Sequence, residues 1–350
     1  MRKYYRARTI ALILLIISGI LHLSCGKKST SNDDCLDLAI VISGEGDVNY
    51  EPEQLCYDPG DELFLTATPD DDWAFYKWTG NVLFNDGAEY ESNIVVTFGT
   101  ANMALAANFR QQLSLTVNIE PFYAGYVDIE PDWNYYIEDD TVTLEAFPSS
   151  GYEFFHWIYE GEIHDYNPAV LTFGSFYEEI TAVFARLEAE LDCGDGYVDT
   201  YNGGCNSIPP IFQNIDDGDI ILGTSGNYTY LSDDWRDTDW YEYDVYQTTE
   251  LTFTATTDFL GILFIIDGTF GCDDYVILEQ SDTTSVEDTL TISAIVSPGT
   301  YWMFVAPAVF TGWPCPLEYT AWFTAEPVSG LQATQSRPIS KDLLSNRRIN

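Results

Sequence analysis

The sequence predicts an all-β protein: two tandem small β-repeat domains followed by a C-terminal β-sandwich of jelly-roll-like form. Three observations predict it. Short runs at 63–68, 142–146, 251–255 and 301–305 are rich in β-branched and aromatic residues and are bounded by Gly, Pro, Asp and Asn. A set of landmarks recurs 79 positions later in the chain. No stretch carries the sustained 3.6-residue apolar period of a long amphipathic helix.

The chain opens with Arg2, Lys3, Arg6 and Arg8 and an apolar run over 9–23, which is short for a bilayer span and suits a signal-peptide core. Residues 1–25 therefore read as an export signal. Its end, Leu21-His22-Leu23-Ser24-Cys25-Gly26, resembles a bacterial lipoprotein signal, with small Ser24 directly before Cys25 and a polar stretch after it. His22 and Leu23 depart from the usual Leu and small residue at those places. The resemblance implies lipidation of Cys25 and anchoring at an outer membrane or cell surface; simple cleavage nearby and an uncleaved anchor are the alternatives. Residues 26–35, small, polar and charged, read as a flexible tether.

The repeat can be followed landmark by landmark. Gly46-Asp47-Val48 with Glu51-Pro52 returns as Gly125-Tyr126-Val127 with Glu130-Pro131. The run Leu65 to Pro69 returns as Leu144 to Pro148, and Trp73-x-Phe75-x-x-Trp78 as Tyr152-x-Phe154-x-x-Trp157. After a loop shorter by four, Thr97-Phe98-Gly99 returns as Thr172-Phe173-Gly174, and Ala107 with Phe109 as Ala182 with Phe184. Residues 36–110 and 111–186 are thus expected to share one fold, with Trp78 and Trp157 plugging equivalent cores. These landmarks resemble the divergent bacterial B-repeat family, related to internalin-type B-repeats. The resemblance implies structural or adhesive surface modules without catalytic residues.

Residues 187–327 repeat neither unit. Asp237-Thr238-Asp239-Trp240-Tyr241, a later Pro298-Gly299-Thr300-Tyr301 and a terminal Tyr319 to Phe323 make this part similar to the bacterial pre-peptidase C-terminal domain, which implies a β-sandwich. No protease precedes it in this chain, so an accessory role to a peptidase does not carry over. Residues 328–350, without aromatics and rich in Gln, Ser and basic residues, read as a disordered tail.

Seven cysteines in an exported chain leave Cys25 over after pairing. The other six fall two by two, and the economical pairing is local: Cys35 with Cys56, Cys193 with Cys205, and Cys272 with Cys315. Zinc is the rival, with no C-x-x-C and only His156 and His164 beyond the leader. The net charge is -42, and between the tether, which carries Lys27 and Lys28, and the tail the cations are Lys77, Arg110, Arg186 and Arg236. Such a surface repels nucleic acid and anionic lipid, which excludes nucleic acid as a partner.

Two groups of side chains invite a binding role. Asp216, Asp217 and Asp219, with Asp237 and Asp239 beyond them, offer hard oxygen ligands for calcium, the alternative being a solvated acidic rim. Trp133, Tyr135 and Tyr136 in the second repeat, and Trp235, Trp240 and Tyr241 in the sandwich, are flat aromatics beside carboxylates, as sugar-ring stacking requires; turn packing produces the same letters. His156 stands where the first repeat has Lys77, a replaceable place unsuited to a catalytic base. A glycosidase-type carboxylate pair is the remaining enzymatic option in a chain with 56 acids.

These readings converge on a non-catalytic exported surface or envelope protein for adhesion, ligand presentation or envelope interaction. Its partners would be a cell-surface or extracellular protein or polysaccharide, and the membrane through an N-terminal lipid anchor. A calcium-dependent carbohydrate-binding protein is the alternative, and an unrecognised secreted hydrolase the third.

Overall fold

The computed structural model describes residues 35–174, 178–188, 193, 197, 201–281, 288–328 and 341–347. Cys25, the leader and nearly all of the tether lie outside these residues. The first repeat forms one compact unit; the second repeat forms another with everything after it.

In the first repeat the strands are β1 (Leu38–Ser43), β2 (Gly46–Glu51), β3 (Glu62–Pro69), β4 (Trp73–Gly80), β5 (Asn93–Thr97) and β6 (Met103–Gln111). They make two three-stranded sheets, β1-β6-β4 and β2-β3-β5. Alternation along β3, where Leu63, Leu65 and Ala67 are buried and Phe64, Thr66 and Thr68 are exposed, is the period-two pattern of a strand with one wet face.

The second repeat follows the same order. Its strands are β7 (Leu115–Glu120), β8 (Gly125–Glu130), β9 (Thr141–Pro148), β10 (Tyr152–Tyr159), β11 (Glu162–His164), β12 (Ala169–Thr172) and β13 (Glu178–Leu187). β7 runs parallel to β13 as β1 does to β6, and β8-β9-β12 repeats β2-β3-β5; β11 is an addition on the edge of β10. Trp78 and Trp157 are both fully buried, as the 79-residue offset requires.

The sandwich comprises β14 (Gln213–Asn214), β15 (Ile220–Ser225), β16 (Asn227–Tyr230), β17 (Asp233–Arg236), β18 (Asp239–Val245), β19 (Thr249–Thr257), β20 (Gly261–Asp267), β21 (Val276–Gln280), β22 (Thr289–Val296), β23 (Gly299–Pro307) and β24 (Leu317–Pro327). One sheet runs β15-β24-β19-β22, the other β14-β18-β23-β20-β21. Leu251, Phe253, Leu263, Ile265, Met303, Val305 and Phe323 fill the space between them. The first sheet is continuous with the second repeat, because β13 pairs in parallel with β15 through Arg186 opposite Ile221 and Leu187 opposite Leu222.

Strands β20 and β23 are buried on both faces, which explains why they read as unbroken apolar runs instead of alternating. Their outer face is a second core containing Trp240, Phe264, Trp302, Phe304 and Leu344. Leu344 belongs to a short 3-10 turn, Lys341–Leu344, so residues 341–347 are docked and not part of a disordered tail. One Leu and a backbone rich in acceptors are enough to order a segment whose composition looks disordered.

Cys35 bridges to Cys56, with Cα atoms 5.3 Å apart. The other two bridges differ from the local expectation: Cys193 joins Cys315 and Cys205 joins Cys272, with Cα separations of 5.5 and 5.4 Å. Closure of the sandwich brings the β23–β24 connection beside the segment that follows β13, and this places partners 122 residues apart.

Candidate functional site

The five aspartates expected to form one calcium site are split between the two ends of β15. Asp216, Asp217 and Asp219 lie ahead of this strand, whereas the hydroxyl of Ser225, at its far end, donates to Asp237 O at 3.3 Å. The first three are already engaged. Arg186 reaches Asp216 at 2.7 Å and Asp219 at 2.7 Å, Tyr123 OH donates to Asp216 at 2.9 Å, and Asp217 accepts the Ala325 amide at 2.7 Å. Arg186, and not Arg236, is therefore the cation of this group, and the group ties the second repeat to the sandwich.

Asp237 and Asp239 are buried together with Thr238. Sequence reasoning overlooked their neighbour Glu188, the residue after β13. Glu188 is buried and accepts from Asn202 Nδ2 at 2.5 Å, the Thr224 amide at 2.7 Å, Tyr319 OH at 3.3 Å and Tyr241 OH at 3.4 Å. Asp239 is close enough to act on it, and burial holds the Glu188 carboxyl above the ordinary carboxylate range. Tyr241 and Tyr319 hydroxyls touch each other and are held well above the ordinary tyrosine range, first by burial and then by these two acids. The donor set is hard oxygen, which fits calcium and not zinc. Cys193, Asp237 and Cys315 also bring ligand atoms within 4.8 Å of one another, but these sulfurs are joined in a disulfide.

A cleft of about 250 Å³ opens at the hairpin β16–β17. Its aromatic wall is the hairpin β16–β17, where alternation puts Tyr228 and Tyr230 on one face with Trp235 directly across from Tyr228. Tyr228 and Trp235 stack at 6.3 Å, Tyr230 meets Trp235 edge-on at 5.6 Å, and Trp235 Nε1 donates to Tyr230 O at 3.1 Å. The hairpin turns on Leu231 and Ser232, both at positive φ, and Leu231 is exposed there. Opposite stands the loop with Asn206, Ser207, fully exposed Ile208 and Pro209; Asn346 closes one side. Asn206 donates to Thr238 Oγ1 at 3.0 Å, which links the cleft to the strand that carries the buried acids.

Of the expected aromatic contacts, Trp235 lines the cleft. Trp240 and Tyr241 do not: both are fully buried, because the outer face of β18 is covered by the second core and its inner face by the first. Gly204, at positive φ, lies flat on Trp240, where a Cβ would come within 2.1 Å of the ring. Tyr136 is likewise buried. It stacks on Phe173 at 4.3 Å and donates to Pro131 O at 2.7 Å, as Tyr57 stacks on Phe98 at 4.4 Å and donates to Pro52 O at 2.8 Å. Trp133 is half exposed against Tyr136 at 5.8 Å, and Tyr135 is exposed. His156 is partly buried on β10, and burial lowers its pKa.

Residues 36–113 and 115–187 each match the profile of the divergent InlB B-repeat domain. No curated protein matches the chain. Two solved structures are similar. The pre-peptidase C-terminal domain of collagenase from Bacillus anthracis shares 12% identity over 33% of this chain and 93% of its own, with a TM-score of 0.23. SGBP-B from a complex xyloglucan utilization locus in Bacteroides uniformis shares 10% over 82% of this chain and 99% of its own, with a TM-score of 0.20.

Proposed function

For a chain in which residues 36–113 and 115–187 are two divergent InlB B-repeat domains in tandem, we propose a non-catalytic, exported surface protein that holds a carbohydrate in the Trp235 cleft of its sandwich. The observation that carries the reading is the composition of that cleft: a half-buried Trp235 face flanked by Tyr228 and Tyr230, with the amide of Asn206 and the hydroxyl of Ser207 beside it. Aromatic faces stack on the C–H face of a sugar ring, and amides and hydroxyls read its hydroxyl groups. Exposed Ile208 lines the cleft, apolar surface that a bound ligand would cover. Lipidated Cys25 supplies the attachment of the chain to its membrane or surface.

A second reading, calcium dependence, is favoured by the Glu188 and Asp239 pair. Two buried carboxyl groups must share a proton or face a cation, and calcium would take their oxygens from β18 and from the end of β13. Bound there, it would brace the start of β18, three residues after the hairpin strand that carries Trp235.

Glycan-array binding of the full chain, in calcium and in chelator, tests both. Trp235→Ala should abolish binding, and chelator should weaken it. Unchanged binding by the Trp235→Ala protein would refute the cleft, and equal binding in chelator would refute the calcium reading alone.

A further inference from the structure

Residues 341–347 are held as a bound peptide is held. Leu344 is inserted into the outer core that contains Trp240, Ile262 and Phe304. Arg236 gathers the backbone of the segment: its Nη2 donates to Leu343 O, its Nε to Ser345 O at 3.0 Å, and its amide to Asn346 O at 2.8 Å. Its Nη1 donates to Pro307 O at 2.5 Å, and the guanidinium lies 4.7 Å from the centroid of Phe310. Asn206 Nδ2 donates to Leu344 O at 2.8 Å. Beyond these, Arg347 pairs with Asp233 at 2.5 Å and stands 5.8 Å from the centroid of Trp235.

Burial lowers the Arg236 pKa to about 10, so the side chain stays charged at neutral pH. A buried guanidinium is costly unless its donors are satisfied, and here two of them are satisfied by this one short segment. The main-chain contacts give affinity without reading sequence; Leu344 in its pocket and Arg347 beside Asp233 supply the selectivity. Charge agrees with the contacts, since Arg337, Lys341, Arg347 and Arg348 make this end basic in a chain of net charge -42.

We propose that the outer face of the sandwich is a peptide-binding groove whose resident occupant is the chain's own segment 341–347, a separable plug that closes one side of the Trp235 cleft. The groove stands on the contacts above, and the gating of the cleft rests also on the proposed sugar site. In the docked state Asn346 is a wall of the cleft and Arg347 stands against Trp235, so a ligand that needs the whole indole face must displace them.

A fluorescent peptide of residues 339–350 and the full-length chain carrying Leu344→Ala test this by fluorescence anisotropy. The Leu344→Ala chain, its own segment loosened, should bind the peptide saturably, and a peptide carrying Leu344→Asp should not bind. The wild-type chain should bind the peptide at least about tenfold more weakly, because its tethered segment competes at high effective concentration. Hydrogen exchange at the Arg236 amide, which Asn346 O protects, should be slow in the wild type and faster in the Leu344→Ala chain. No peptide binding by a folded Leu344→Ala chain, or equal exchange in the two proteins, overturns the proposal. If that variant does not fold, a chain ending at residue 340 replaces it; failure of both to fold makes the segment an integral part of the core and overturns the plug. Glycan binding is read separately: gating predicts tighter binding by the Leu344→Ala chain, by about threefold or more. Peptide docking with no effect of Trp235→Ala on glycan binding would sink the sugar site and leave the groove standing.

Discussion

Arg186 Nε lies 2.7 Å from Asp219 Oδ2, an ion pair between the last strand of the second repeat and the residue just ahead of the first long strand of the sandwich. Asp219 is almost wholly buried and Arg186 only partly so. Removing the cation leaves a buried carboxylate with only the Asp216 amide donating to it among the described residues. Arg186→Ala should cost about 2–3 kcal/mol, below the range for a fully buried pair because water still reaches the guanidinium. Arg186→Lys should recover only part, since a single ammonium cannot face Asp216 and Asp219 as the guanidinium does. Urea denaturation measures both.

Glu188 gives a pH dependence with a definite sign. Its folded pKa is raised by burial, so its contribution to stability is present below the ordinary carboxylate pKa and is lost as pH rises through the raised folded value. In chelator, the melting temperature should therefore rise on acidification from neutral pH. Calcium at 100 times its Kd should add about 2.7 kcal/mol near neutrality and diminish that dependence, because it replaces the proton. Glu188→Gln should flatten the profile in chelator and lose the calcium response. Calcium compared with sodium at equal ionic strength separates binding from screening.

The equivalent hydroxyls of Tyr57 and Tyr136 each donate to a proline carbonyl, Pro52 O and Pro131 O. Tyr57→Phe and Tyr136→Phe should each cost about 1 kcal/mol, and by similar amounts. A loss at one site alone, measured by hydrogen exchange in each repeat, would contradict the equivalence.

Non-reducing peptide mapping should recover Cys193 linked to Cys315 and Cys205 to Cys272. Cys205→Ser with Cys272→Ser should destabilise the sandwich by about 2–5 kcal/mol and loosen the loop that carries Asn206 and Ile208, with weaker glycan binding as a second readout.

Gly204 combines a positive φ with contact against the Trp240 ring. Gly204→Ala should be destabilised by more than the backbone term of about 1 kcal/mol, because the indole has packed neighbours on its other sides. An unchanged melting temperature would show that the loop can lift off the ring.

The periodic and local features were legible in the order of residues. Alternation and turn residues specified strands, and the 79-residue recurrence of G-x-V, E-P and F-x-x-W specified two copies of one fold with Trp78 and Trp157 in equivalent cores, because a repeated pattern of inward residues can close only one way. Tyr57 and Tyr136 recur at the same offset, and recurrence at matched positions marks a core side chain, which both are. Tertiary structure alone decided which carboxylates meet. Asp216 and Asp219 looked like ligands until Arg186, thirty residues earlier, turned out to lie against them. Glu188 and Asp239 met only because β13 extends the sheet that β15 begins. The same holds for Cys193 and Cys315, and for Leu344 beneath Trp240's face of the sandwich. Spacing along a chain limits local geometry, but the distance between strands far apart in sequence is set by sheet order, and no pattern within either strand encodes that order.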